Sequence, residues 1–362
     1  KEAAPTDVVT EEDVLPETAE GDFTITNGVL TKYTGKDENV EVPDGVTVIG
    51  SNAFDGCSTV KTIKLPDTVT ELEAKAFINC PNLEELTLPN VEELSGTDYV
   101  FSSYTEGATL VNIIVPEKLT SFSNEMFSNV NDRIPLSKYI VNPNNTNYYS
   151  DNYGMLYVRV KNSQTGEPAL ILREVAGGII DYYEMPDNLE EISLDRYFVY
   201  NIKNIGLNGR EDLLYPATNI FFYNVEKVIV SKNMKYWPKS NLYNVFADTD
   251  VWEVEEGSEY FKVEDDVIYS KDGKTLYFYP RMKTDLEHYV MPDTVEKILH
   301  YAFIRDDDLA ITLSKNLKWV SISAFWNENS GAMTVYTNGS KPEHLEKAYR
   351  NIGELYINLT ED

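Results

Sequence analysis

A motif that recurs about every 23 residues constrains this chain more than any other feature. Val42–Phe54 (VPDGVTVIGSNAF) and Leu65–Phe77 (LPDTVTELEAKAF) match almost continuously at that offset. Self-similarity at a fixed period of this length predicts a solenoid, in which each repeat contacts only its neighbours. Further copies are recognisable at Leu86–Phe101, Ile113–Phe127, Met185–Phe198, Met291–Phe303 and Leu313–Phe325.

Each position of the repeat has a physical role. In Lys61–Leu65 the residues alternate, so Ile63 and Leu65 are expected to face inward and Thr62 and Lys64 outward. Proline then ends the strand because it cannot donate to a ladder, and the Pro-Asp step turns the chain. The Ala-Phe pair supplies one small and one large core residue, which we expect on a short helical turn.

A single coil of this size cannot bury its own apolar positions. Stacked coils can share them, so the phenylalanine at the end of the motif is expected to form a ladder through the core. The predicted core positions are Phe54, Phe77, Phe101, Phe127, Phe198, Phe303 and Phe325.

Two segments interrupt the repeat, near residues 140–180 and 251–288. In each, two strand-like runs flank a turn, and Asp272-Gly273 is the clearer turn signal. We expect β-hairpins inserted between coils. The last segment, 336–362, combines a short helical pattern with a strand, which predicts a cap for the open end of the solenoid.

The motif of strand, Pro-Asp-x-Val-Thr, Ala-Phe and a following cysteine resembles the BspA-type leucine-rich repeat of bacterial surface proteins. The resemblance spans roughly residues 23–335, and Asp22–Tyr33 resembles the N-terminal capping hairpin of such proteins. It implies a β-rich leucine-rich-repeat solenoid: a right-handed coil with a parallel sheet and short helical turns. It also implies secretion or anchoring at the cell surface, and adhesion to host proteins or other bacteria for some members.

Residues 1–22 precede the repeats and carry eight acidic side chains and one lysine. Such a segment cannot bury enough surface to offset its ordering entropy, so it reads as a flexible acidic stalk. The chain begins at Lys1 rather than Met, which suggests a mature or trimmed fragment. An upstream lipid anchor would fit, although the sequence does not contain one.

The charge is strongly acidic, with 60 acidic and 31 basic residues and a net charge of −29. This surface repels phosphate backbones and anionic membranes, so neither nucleic acid nor direct membrane insertion is expected. The charge serves solubility, or it attracts a cationic partner. We expect a monomer.

The residues that could carry chemistry are few. Cys57 and Cys80 occupy equivalent places in adjacent coils, and we favour two free buried thiols over a disulfide. His288, His300 and His344 lack a metal-binding spacing, and Asp306–Asp308 lacks the ligand pattern of a calcium loop. No catalytic motif is present, so we expect no enzyme, no cofactor and no metal.

A binding surface can be projected from the repeat register. One outward row contains Glu41, Lys64, Thr87, Ile114, Glu184, Ile229, Val290 and Thr312, and the other Thr62, Glu85, Asn112, Tyr182, Lys227 and His288. Aromatic residues concentrate in the second half, where they are either local core or a ligand-binding platform. The candidate ligand-binding residues are Tyr182, Tyr223, Tyr236, Trp237 and Trp252.

Together these features favour a non-catalytic scaffold, extracellular or anchored at a bacterial cell surface, that recognises an extracellular protein from a host or another bacterium through the solenoid face. The alternative is a carbohydrate-binding surface protein that uses the aromatic residues of the second half. Solvent exposure of the tryptophans discriminates between the two.

Overall fold

The computed structural model describes most of the repeat region. The described residues are 18–101, 111–123, 126, 136–162, 165–175, 177, 180–192, 198–199, 202–208, 221–222, 224–237, 246, 249, 251–280, 288–305, 309–327, 333–337, 339, 342–348 and 354–356. They fall into two compact units, residues 1–156 with 176–178 and residues 157–175 with 179–362.

The first unit is a β-solenoid, and ten of its strands form two sheets. Its strands are β1 (Thr18–Glu20), β2 (Phe23–Thr26), β3 (Val29–Tyr33), β4 (Asn39–Glu41), β5 (Val48–Ile49), β6 (Thr62–Lys64), β7 (Glu71–Leu72), β8 (Glu85–Thr87), β9 (Val111–Val115), β10 (Leu136–Val141) and β11 (Tyr148–Ser150). Strands β4, β6, β8, β9 and β10 form a parallel sheet, which we call the front sheet. On the back sheet, β3, β5 and β7 pair in parallel.

Strands β2 and β3 form the predicted antiparallel hairpin at the start of the solenoid. The structure extends it by one strand, because Thr18–Glu20 pair antiparallel with β2. These three residues had been assigned to the stalk, so the paired region begins earlier than the sequence indicates. Residues 1–17 of the stalk lie outside the described part of the chain.

The second unit repeats this construction with inserted hairpins. Its elements are β12 (Leu156–Lys161), β13 (Pro168–Glu174), β14 (Tyr183–Glu184), β15 (Leu189–Ile192), β16 (Phe198–Val199), β17 (Asn204–Leu207), β18 (Phe221–Phe222), β19 (Lys227–Val230), β20 (Val251–Val254), β21 (Phe261–Glu264), β22 (Val267–Ser270), β23 (Thr275–Phe278), β24 (His288–Val290), β25 (Lys297–Ile298), β26 (Phe303–Arg305), β27 (Leu309–Thr312), β28 (Trp319–Val320), β29 (Phe325–Asn327), β30 (Met333–Tyr336), the helix α1 (Leu345–Ala348) and β31 (Glu354–Tyr356).

Two parallel sheets in this unit are formed by the strands equivalent to those of the front sheet, and we call them front sheets as well. Their strand orders are β14-β17-β19-β20 and β24-β27-β30-β31. The hairpin predicted around Asp272-Gly273 is confirmed, since β22 and β23 pair antiparallel and β23 continues in parallel into β25. Strands β12 and β13 are neighbours in one sheet, as expected for the earlier hairpin. The helix and strand of the last segment are present, and their role as a cap stays a prediction.

A ladder of aromatic rings lies within the mainly aliphatic core of each unit. In the first unit, Phe54 stacks on Phe77 and Phe77 on Phe101, each at 5.5 Å between ring centroids. In the second unit, Phe303 stacks on Phe325 at 5.3 Å. All five rings are buried. Phe127 and the side chain of Phe198 lie outside the described residues.

The turns that carry these rings differ from the expectation of a helical turn. Around Ala53-Phe54 the backbone makes i→i−3 bonds, such as Ala53 N–H to Gly50 O at 3.1 Å, without continuing into a helix. The reason is a left-handed residue just before the Ala-Phe pair, which a helix does not tolerate. Its φ is positive at Asn52, Lys75 and Tyr301, and also at Tyr99, which precedes Val100-Phe101 in the third copy.

Buried tyrosine pairs tie each inserted hairpin to the next coil. The Tyr157 hydroxyl on β12 lies 2.5 Å from the Tyr183 hydroxyl on β14. The Tyr269 hydroxyl on β22 makes the same contact with the Tyr289 hydroxyl on β24. The coil that follows each hairpin has the sequence Tyr-x-Met-Pro-Asp, so this contact is a repeated structural feature of the two insertions.

Replacing the central ring of the first ladder tests the shared core. Phe77→Ala leaves a cavity between two coils, and we expect it to lower the free energy of unfolding by about 3–5 kcal/mol. Urea denaturation followed by circular dichroism measures this. Lys36→Ala, an exposed site, is the control and should change stability by less than about 0.5 kcal/mol. A loss of under about 1 kcal/mol for Phe77→Ala would contradict the ladder.

The buried contact between Tyr269 and Tyr289 predicts that the protein loses stability at alkaline pH. Burial raises the pKa of Tyr269 from 10.0 to about 12, and burial also raises the pKa of Tyr289. Above pH 10 the unfolded chain ionises while the folded pair stays neutral, so the stabilisation is present below pH 10 and declines between pH 10 and about pH 12. In Tyr269→Phe this decline should be shallower, as measured by urea midpoints across that range. An unchanged slope would show that the pair does not titrate as described.

Candidate binding surfaces

The front sheet of the first unit presents the two predicted rows to solvent. Strand pairing aligns Glu41, Lys64, Thr87 and Ile114 in one row and Thr62, Glu85 and Asn112 in the other. Between these rows the buried residues Ile63 and Leu86 point into the core. The parallel register therefore confirms which side chains the repeats display.

Charges on this sheet are matched between neighbouring coils. Lys61 Nζ lies 2.8 Å from Glu38 Oε2, and Lys64 Nζ lies 3.3 Å from Glu41 Oε1. These pairs are solvent exposed, so they contribute little to stability. Their effect is to leave the regular coils with a polar surface that is locally balanced.

The front sheet β14-β17-β19-β20 of the second unit is different. Its outward rows place Tyr182, immediately before β14, beside Asn204, Lys227 and Val251 of the following strands. Tyr182 and Val251 are both 38% exposed, and Ile229 of the other row is partly exposed. We call Tyr182, Gly206, Ile229 and Val251 the sheet patch.

Gly206 allows the sheet patch to form. A Cβ at this position would lie 2.3 Å from the Tyr182 hydroxyl oxygen and 3.2 Å from Glu184 Cγ, so any side chain here would displace the ring. The tyrosine can therefore lie across the next strand instead of standing away from the sheet. The result is a surface with an aromatic ring at one end and aliphatic side chains towards the other.

The charges within and beside the sheet patch are paired. Lys227 Nζ lies 2.7 Å from Glu253 Oε1, and Lys203 Nζ lies 2.8 Å from Asp181 Oδ1. The hydrogen bond to Asp181 raises the pKa of Lys203. Lys227 lies in the row between Tyr182 and Val251, so a partner that covers this patch would meet apolar side chains interspersed with matched ions.

A second exposed feature lies on the turns after β19 and β20. Strand pairing sets an offset of 24 residues between Lys227–Val230 and Val251–Val254. The next turns match as well, because Met234 N–H donates to Ser231 O at 3.1 Å and Ser258 N–H to Glu255 O at 3.2 Å. This register places Tyr236 beside Tyr260, which are 53% and 41% exposed. We call these two residues the tyrosine pair.

Two of the predicted ligand-binding residues belong to the core instead. Trp252 is 1% exposed and packs on Phe278 at 4.4 Å between centroids. Trp237 is 8% exposed, with Trp252 at 6.3 Å and Phe261 at 5.8 Å. The prediction that Trp237 and Trp252 bind ligand is wrong, because both rings fill the interior below the tyrosine pair.

The other predicted aromatic residues differ in whether they are exposed to solvent. Tyr182 and Tyr236 are exposed as a ligand contact requires, whereas Tyr223 lies outside the described residues, as does the side chain of Trp326. Trp319 is partly buried, with Lys297 Nζ 4.8 Å from its ring centroid. Tyr260 was missed by the sequence reasoning; the parallel between Lys235-Tyr236-Trp237 and Glu259-Tyr260-Phe261 was the signal that could have found it.

The repeats now permit an assignment. The family model for the BspA type leucine rich repeat region matches six copies, over residues 25–152 and 276–355, which is more than half of the chain. The chain belongs to the BspA-type leucine-rich-repeat family. A search of curated proteins finds no significant match.

Several solved structures are similar to this family member at low identity. The pneumococcal vaccine antigen PcpA is 17% identical, with 93% of this chain and 74% of that chain covered and a TM-score of 0.25. A leucine-rich cell surface protein from Faecalibacterium prausnitzii is 16% identical, with 96% of each chain covered and a TM-score of 0.22. A leucine-rich-repeat protein from Bacteroides ovatus is 16% identical, with 96% and 100% covered and a TM-score of 0.30. The family assignment rests on the repeat motif and not on these structures.

Two histidines of this BspA-type chain connect adjacent coils. His288 Nε2 lies 2.8 Å from Thr312 Oγ1, and His300 Nδ1 lies 2.9 Å from Ser323 Oγ, each joining adjacent coils. Within the described residues, no group of three or more His, Cys, Asp or Glu side chains could hold a metal ion. Asp306–Asp308 lie outside that part of the chain. No helix among the described residues is long and apolar enough to cross a membrane.

The two cysteines are free thiols in adjacent coils. Cys57 is buried, and the partly buried Cys80 places its Sγ 3.1 Å from the carbonyl oxygen of Phe54. Burial raises the pKa of both, and that of Cys80 rises from 9.0 to about 12. The thiolate is the reactive form, so both thiols should be inert at neutral pH.

Alkylation tests this assignment. In the folded protein at neutral pH, iodoacetamide should modify Cys80 at least about 100-fold more slowly than a free cysteine, because the thiolate fraction falls tenfold for each unit of pKa. In urea both residues should react rapidly, and mass spectrometry would count two adducts. Rapid modification without urea, or fewer than two adducts in urea without reductant, would contradict two inert free thiols.

Proposed function

We propose that this chain is a non-catalytic binding scaffold that works outside the bacterial cell, secreted or anchored at the surface, and recognises an extracellular protein. Its membership in the BspA-type family supports this setting. The main support for the proposal is that the sheet patch exposes Tyr182 and Val251, each 38% exposed, on one parallel sheet.

The chemistry of the sheet patch fits a protein partner. Binding hot spots combine a large aromatic anchor with a surround that excludes water once the partner is in place. Tyr182 supplies the anchor, and Ile229 and Val251 supply an aliphatic surface that a partner can dehydrate. The Lys227–Glu253 pair lies on the same strands, so the charges that a partner would cover there are already matched.

The rigidity of the sheet favours binding further. Strand β19 pairs over four residues with β17 on one side and over four with β20 on the other, so the patch is fixed before a partner arrives. A preorganised surface loses little conformational entropy on association.

A capture experiment with a matched control tests this function. Immobilised full chain is exposed to host matrix proteins and to bacterial surface extracts, and each retained protein is purified for measurement of its Kd. Val251→Glu places a charge at the aliphatic end of the patch, and we expect at least about tenfold weaker binding. Tyr182→Ala should weaken binding similarly by removing the anchor.

The control is Ile322→Glu, which makes the same kind of change at an exposed aliphatic residue on the turn after β28. It should bind as tightly as the wild-type chain. If no protein is retained, or if Val251→Glu binds as well as Ile322→Glu, the sheet patch is not the recognition surface.

A further inference from the structure

The tyrosine pair has an arrangement that core packing does not explain. Tyr236 and Tyr260 are exposed, while the residues that follow them, Trp237 and Phe261, are buried against each other at 5.8 Å. The inward rings already fill the core between these coils. The outward rings therefore add exposed aromatic surface that contributes little to the interior.

The register sets the separation of the two tyrosines. They lie at equivalent positions of adjacent coils, and neighbouring strands in a sheet are about 4.8 Å apart. Neither ring packs on another aromatic ring among the described residues. The two rings lie side by side and do not stack on each other, so their faces remain available to a ligand.

The surroundings of the tyrosine pair are polar. The exposed neighbours on the two turns are Lys232, Asn233, Lys235, Glu256 and Glu259, and the same turns expose no aliphatic side chain. A protein hot spot needs a surround that excludes water, and this one does not provide it. The sheet patch, in contrast, has aliphatic neighbours.

Exposed aromatic rings with polar neighbours match the chemistry of a sugar. One face of a pyranose carries C–H groups that pack on an aromatic ring, whose face bears partial negative charge. The rim of the sugar carries hydroxyls, which accept hydrogen bonds from ammonium and amide groups and donate them to carboxylates. Lys235 and Glu259 occupy the same position on the two turns, so one donor and one acceptor flank the rings.

We propose that Tyr236 and Tyr260 form a stacking site for two consecutive units of a neutral glycan chain. Charge selects neutral sugars over anionic ones. Lys232 is already paired with Glu255 at 2.9 Å, which leaves Lys235 (+1) against Glu256 and Glu259 (−2), so the turns keep a net charge of −1. Together with the net charge of −29, these carboxylates repel uronate, sulfate and sialate groups.

This site is separate from the sheet patch and does not rest on the proposed protein-binding function. The ligands differ in kind, and the tyrosine pair lies on turns beyond the strand ends while the sheet patch lies on the strands. Failure of one proposal would leave the other in place. The experiment below includes a variant of each.

Saturation-transfer difference NMR with the full chain tests the site. The probes are cellohexaose, laminarihexaose, mannohexaose and chitohexaose, with a heparin hexasaccharide as the anionic probe. We expect at least one neutral probe to bind with Kd in the micromolar to millimolar range and the anionic probe not to bind. Tyr236→Ala or Tyr260→Ala should each weaken binding about fivefold, and the double variant should abolish it.

Matched variants separate stacking from folding. Tyr236→Phe keeps the ring and should keep at least about half of the affinity, while Tyr182→Ala on the sheet patch should leave glycan binding unchanged. Circular dichroism and urea midpoints confirm that each variant is folded. The proposal is overturned if no neutral probe binds the wild-type chain at about 10 mM. It is equally overturned if the double alanine variant binds like wild type, or if the pair affects only the affinity for a captured protein.

Discussion

Stacking of one coil on the next is the interaction on which this molecule depends. A coil of 23 residues has a few inward side chains, such as Ile63, Leu65 and Phe77, and none of them can be buried within the coil alone. Burial is completed by the equivalent residues of the neighbours, as the 5.5 Å contacts along Phe54, Phe77 and Phe101 demonstrate. The same stacking fixes the strand register, and the register decides which side chains reach solvent. Function can therefore be carried by outward positions without disturbing the core.

Differences between coils at these outward positions are informative for that reason. In the regular coils of the first unit they carry matched polar groups, including Lys64 with Glu41 and Thr62 with Asn39. In the second unit the same kind of position carries Tyr182 and Val251. The sheet geometry is retained in both, since β4 pairs with β6 and β19 with β20 in parallel and without a register shift. The chain has changed the displayed chemistry while conserving the scaffold, which is the expected division between a repeat fold and its binding surface.

The sequence was sufficient for the scaffold and for the outward rows, because both follow from a period that is visible in the residues. Phe54, Phe77, Phe303 and Phe325 lie where the motif predicted, and the Asp272-Gly273 turn does join a hairpin. The aromatic site could not be predicted in the same way. Tyr236 and Trp237 are adjacent in sequence, and composition alone cannot say which ring is inside. The match of Lys235-Tyr236-Trp237 with Glu259-Tyr260-Phe261 indicates the 24-residue offset, but only the pairing of β19 with β20 shows which ring of each turn faces inward.

Charge acts on this molecule at two distances. The net charge of −29 creates a field that reaches about 10 Å at ordinary ionic strength, which steers cationic surfaces towards the chain and keeps anionic polymers away. Closer in, pairs such as Lys227–Glu253 cancel much of this field beside the sheet patch, so contact there is decided by apolar burial. Beside the tyrosine pair, Glu256 and Glu259 are not cancelled in this way, and hydroxyl groups can use them as acceptors without bringing in opposing charge. The long-range field and the local pairing thus favour different ligands at the two surfaces.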